Sequence, residues 1–173
     1  MNTFLFIKVF LSGLFMFSII TKINAFNSFR DTVKSLGFKG LYSTFGAILV
    51  LLFEFSISIL ILFSSTQLYG KLLLFFLLII FLLAVIIAKV KQLNVKCNCF
   101  GALTNETLGY KTLIHIAFLT FFQFVLLFDK QTIGVDQVSI HSTVNMFFTS
   151  FSIIFSYFLI KILFKINMNR GVE

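Results

Sequence analysis

Cys97 and Cys99 are the only cysteines in the chain, one residue apart in the run Lys96-Cys97-Asn98-Cys99-Phe100-Gly101. Two thiols at that spacing can bond to each other in a bent loop, because a disulfide needs its Cα atoms within about 7 Å. So small a ring is strained, and strained, exposed disulfides are the ones that exchange with other thiols. Lys96 beside the pair favours the thiolate, the reactive form. Phe100 and Gly101 follow, the glycine supplying backbone freedom for a turn. The same thiolates suit Cu(I) or Zn, with His115 as a third ligand, but no fourth ligand is evident and the spacing lacks the paired form of structural zinc sites, so no metal is assigned. A third reading treats the cysteines as small apolar residues with no task.

Glu54 is the second residue of interest, since it stands alone in a long apolar run. An ionised carboxylate at mid-bilayer costs several kcal/mol, so Glu54 must face a bundle interior, be paired, or be protonated. Lys22 and Lys8 are the nearest candidate partners. Such an acid serves either helix packing or proton or ion handling, and the residues alone leave both open.

The elements that position these groups are set by composition. The chain of 173 residues is 59% hydrophobic and only 12% charged, far from the roughly 25% charged residues of a soluble domain. It contains no Pro, so helix ends must come from charge, Gly and polar runs. The net charge of +8 does not indicate nucleic acid, because the basic residues punctuate apolar runs instead of gathering in one domain.

Residues 4–20 read as a first span, with Lys8 snorkelling to the interface. Cleavage of this segment as a signal peptide after Ala25 is disfavoured, because Ile23 is not a small residue. Residues 25–39 place Phe26, Phe29, Val33 and Leu36 on one helical stripe with Arg30, Lys34 and Lys39 largely elsewhere, as in an interfacial amphipathic helix; a loop with scattered Phe fits so short a stretch equally. Further spans follow at 41–64, 72–88 and 112–128, the last with Gln123 inside it. A polar connection at 129–143 leads to a fifth span at 146–164 and a basic tail. The expected fold is an all-α integral membrane protein.

Counting basic residues gives the orientation. With the N-terminus outside, Lys22, Arg30, Lys34, Lys39, Lys89, Lys91, Lys96, Lys111, Lys161, Lys165 and Arg170 are cytoplasmic, against Lys8, Lys71 and Lys130 outside. The bias favours N-out, C-in, with the cysteines on the cytoplasmic side of what reads as a bacterial inner membrane. No nucleotide loop, paired-carboxylate arrangement or Ser/His/Asp set appears.

The run Cys97-Asn98-Cys99-Phe100-Gly101, followed by Leu108-Gly109 and Thr112-Leu113, resembles the MauE-like, DoxX-related family of small membrane proteins. The first half is similar too, with Gly13 and Lys22 in the first span, Phe26, Phe29 and Leu36-Gly37 after it, and Glu54 in the second. The resemblance implies a four-helix membrane core over residues 1–128, with the cysteine loop at 90–111. Residues 129–173 then add the fifth transmembrane helix. It also implies that Cys97 and Cys99 are a redox pair, that Glu54 and Lys22 are a polar pair in the core, and that Lys96, Phe100, Gly101 and His115 support the loop. The expected function is disulfide exchange with a thioredoxin-like partner or a maturing exported protein. A quinone is one candidate electron acceptor, though no residue identifies a site for it. The alternatives are a non-catalytic assembly factor and a small transporter using Glu54.

Overall fold

The computed structural model describes residues 3–38, 40–92, 110–129 and 133–170, with the backbone alone at 110, 111, 158, 161, 162 and 164–170. These residues form α1 (Thr3–Asn24), α2 (Phe26–Ser35), α3 (Leu41–Leu60), α4 (Gln67–Val90), α5 (Tyr110–Leu127) and α6 (Ile140–Arg170), with a 3-10 turn at Val135–Gln137. Among the described residues there is no strand.

Four helices close a ring. α1 packs on α3, α3 on α4, α4 on α5, and α5 returns to α1. The amphipathic α2 lies against α3 and α1, and α6 packs on α1 from outside the ring. The core joins Leu11 and Phe15 of α1, Ile57 of α3, Leu74 and Leu77 of α4, and Ile116 and Leu126 of α5. α1 is the hub, half buried over its apolar window where α3 and α4 are 28% buried. The outer faces of α3 and α4 expose large apolar side chains such as Leu52, Phe55, Phe76 and Leu83. An apolar surface that extensive suits lipid, not water. α1, α3 and α4 are each long and apolar enough to cross a bilayer. The apolar stretch of α5, Thr112–Leu127, is shorter.

Two helix ends, those of α1 and α4, differ from the ones read off the charges for one physical reason. Polar residues taken as boundaries are satisfied inside the bundle. α1 continues past residue 20 because Lys22 is buried, and α4 starts at Gln67 instead of residue 72 because Gln67 is buried too. Lys8 does not snorkel; its side chain is 1% exposed.

Turns are made by residues that tolerate them. Gly37 (φ 124°) and Gly40 (φ 61°) close the passage from α2 to α3 in left-handed backbone that L side chains resist. Gly70 allows α4 to approach the end of α3, since a Cβ there would stand 2.8 Å from the Ile61 backbone nitrogen. The 133–137 segment then seats on the α3–α4 turn. Val135 N–H donates to Leu62 O at 3.0 Å, and Ser64 donates from its backbone N–H to Asp136 Oδ1 at 3.1 Å and from its hydroxyl to Oδ2 at 2.5 Å.

Candidate functional site

Cys97, Cys99, Lys96, Phe100 and Gly101 lie outside the described residues. The described flanks of their segment are informative. α4 is capped at Lys91, whose N–H donates to Ile87 O at 3.0 Å, and Gln92 (φ 49°) turns the chain out of the helix. The Lys91 ammonium lies 3.7 Å from where a Cβ on Gly37 would sit, just past α2. Thr112, near the start of α5, shares a cavity wall with Phe29 of α2 and Phe38. Both flanks of residues 93–109 therefore stand at the end of the bundle that carries α2.

Lys22 and Glu54 meet inside the ring, each side chain 1% exposed, with Lys22 Nζ donating to Glu54 Oε1. Helical side chains lean toward the helix N-terminus, so Lys22, near the C-terminal end of α1, reaches back into the bundle toward mid-α3. The ammonium is enclosed by two aromatic faces, with the Phe29 and Phe81 ring centroids each 5.3 Å away. Ser18 adds a hydrogen bond to the same carboxyl group. Glu54 Oε2 has no hydrogen-bond partner among the described residues. Two charges withdrawn from water tolerate each other only as a pair, so each fixes the other's place.

A second ionic centre occupies the opposite end of the ring. Lys8 Nζ lies 2.6 Å from Asp129 Oδ2, donates to Gln67 Oε1 at 2.7 Å and to Ile133 O at 3.0 Å. One ammonium, with three donors, thus joins α1, α4, the end of α5 and the connection beyond it. Lys71 stands 4.0 Å from the same Asp129 oxygen, and Gln123 Nε2 donates to Lys71 O at 2.8 Å. Sequence reading had Lys8 snorkelling or partnering Glu54; the structure gives Glu54 to Lys22 and pairs Lys8 with Asp129 instead. The signal was present: the start of the first span, the start of the third and the end of the fourth must share one face of the bundle.

His115 is half buried on α5 and lines a cavity of about 330 Å³ with Phe10 and Leu14 of α1 and Ile153, Ile154 and Tyr157 of α6. The structure therefore sets His115 in an α1–α5–α6 crevice, apart from the Lys22–Glu54 pair in its lining. Among the described residues no group of three His, Cys, Asp or Glu side chains is close enough to hold a metal ion.

Comparison with known proteins places this geometry in a family. Residues 1–128 match the family model described as methylamine utilisation protein MauE. That span runs from α1 to the end of α5, the closed ring with α2, and leaves α6 outside the match. No curated protein and no solved structure matches the chain.

Proposed function

Because the chain belongs to the MauE family, and is a membrane protein with it, we propose that it exchanges disulfides through Cys97 and Cys99 with a thioredoxin-like partner or an exported client. The observation that carries this reading is the placement of the chain's only two thiols within residues 93–109. The flanks of that segment stand together at the α2 end of the ring. The family description names methylamine utilisation as the process, and the client we propose belongs to that process.

In the exchange, one cysteine thiolate attacks a sulfur of the partner's disulfide, and a mixed disulfide forms as the partner's other sulfur leaves as thiolate. The second cysteine then attacks the bridging sulfur, releasing the partner as a dithiol. Two electrons and two protons have passed from this chain to the partner. Run in reverse, the same steps oxidise a client dithiol, and repeated turnover then requires a further acceptor, for which a membrane quinone is the candidate. Lys96 favours the thiolate, while Phe100 and Gly101 shape the turn. In this reading the Lys22–Glu54 pair and His115 hold the bundle that presents the loop. α5 and α6 also span, in a bacterial inner membrane with the N-terminus outside. The side on which an impermeant maleimide labels Cys97 and Cys99 in intact cells reads that orientation directly.

The test is a trap. With Cys99→Ser the surviving thiol cannot be released by its neighbour, so a covalent adduct with a partner should accumulate and vanish on reduction. If neither Cys99→Ser nor Cys97→Ser yields one, the exchange reading fails. The closed pairs Lys22–Glu54 and Lys8–Asp129 favour a second reading, a rigid scaffold that docks another membrane protein. That reading requires function to survive both cysteine substitutions.

A further inference from the structure

A cavity of about 490 Å³, within the range of ligand sites, opens between α2, α3 and α4. Its walls are almost wholly apolar, with Val33 and Leu36 from α2, Val50 from α3 and Ala84 from α4. Its inner side is formed in part by Phe29 and Phe81, the two rings that enclose the Lys22 ammonium. Phe38 and Tyr42, both exposed, line it at the α2–α3 passage.

The helices that bound it carry cations. α2 holds Arg30 and Lys34, the end of α4 holds Lys89 and Lys91, and all but Arg30 are exposed. The Lys91 ammonium lies beside Gly37, next to the cavity-lining Phe38. Asp31 is the one acid among the described residues of α2, and it is 3.9 Å from Arg30. An apolar chamber whose bounding helices α2 and α4 carry exposed cations is complementary to one amphiphile. Basic pockets between membrane helices recognise anionic headgroups, while an apolar cleft takes the chain.

We propose that this chamber is a binding site for an anionic phospholipid, its acyl chain between α2, α3 and α4 and its phosphate at Lys34 and Lys91. Occupancy fixes α2 against α3 and so steadies the bundle end from which residues 93–109 emerge. The site does not depend on the thiol chemistry, and it stands or falls separately from it.

The experiment uses the full chain, stripped of lipid in detergent and titrated with phosphatidylglycerol or phosphatidylcholine. Bound lipid is read by native mass spectrometry and the melting midpoint by tryptophan-free dye fluorescence. Wild type should bind phosphatidylglycerol more tightly and melt higher with it. Lys34→Gln and Lys91→Gln should each reduce the preference for phosphatidylglycerol about fivefold while leaving helical content unchanged. Ala84→Phe fills the chamber and should abolish binding of both lipids. Equal affinity for the two lipids, undiminished binding in Ala84→Phe, or displacement of the lipid by millimolar inorganic phosphate alone would each overturn the proposal. Should Ala84→Phe not fold, the two exposed lysine variants still decide it.

Discussion

Lys22 and Glu54 explain each other. Both side chains are almost wholly buried, and among the described residues the Lys22 ammonium meets the Glu54 carboxylate and two aromatic faces. Removing one partner leaves the other buried and uncompensated, which in soluble interiors costs about 3–5 kcal/mol. Lys22→Met or Glu54→Leu alone should therefore lower stability by about that much in detergent–SDS unfolding. The double variant should recover most of the loss, because an apolar pair of similar volume suits the site. Additive losses would show that the two residues act independently. A charge alone in an apolar run is conspicuous in a sequence, so Glu54 was legible, and Lys22 with it. Lys8 and Asp129 were not read as a pair because each sits near a span end, where snorkelling is an adequate account until the bundle is closed. Cys97 and Cys99 were legible only as chemistry, since residue types say what thiols can do and nothing about what surrounds them.

At the level of elements, apolar runs located five of the helices, and the stripe of 25–39, which a loop fitted equally, became α2, burying Phe29 and Thr32. The boundaries were harder, because a polar residue in a membrane sequence marks either an interface or a buried contact. Gln67 and Lys22 are the second kind. The return segment 133–137 was read as a plain polar connection, yet it is tied to the α3–α4 turn through Ser64 and Asp136. The two donors of Ser64, hydroxyl first and backbone N–H second, hold the Asp136 carboxyl below its ordinary value. A depressed carboxyl stabilises the folded state above its unfolded pKa, and that contribution disappears as pH falls through the folded value. The tether should therefore be intact near neutrality and loosen only below the usual carboxylate range. Amide exchange of the Val135 N–H, compared between wild type and Asp136→Asn across an acid titration, checks this. Measured against the intrinsic exchange rate at each pH, wild type should lose protection on acidification and the variant should start closer to the acidified level. An identical acid response in both proteins would assign the tether elsewhere.

Across the whole molecule, α1 runs between two buried ionic centres, Lys8–Asp129 at one end of the ring and Lys22–Glu54 toward the other. Their side chains bind α1 to α3, α4 and α5 by contacts that lipid cannot replace, whereas apolar packing alone gives membrane helices little preference for one another over lipid. In the proposed exchange, a ring fixed in this way serves as the base for residues 93–109. The family match covers that ring together with residues 93–109 and ends before α6. The function proposed for the chain turns on two sulfur atoms. The most direct measurement is the redox state of Cys97 and Cys99 in native membranes, fixed by alkylation with a mass tag after equilibration in glutathione buffers of graded potential. Disulfide exchange predicts a reversible two-electron transition between dithiol and intramolecular disulfide, at a potential above about −300 mV as befits a strained, labile bond. Thiols that stay reduced in every buffer, in a protein that remains folded, would contradict it.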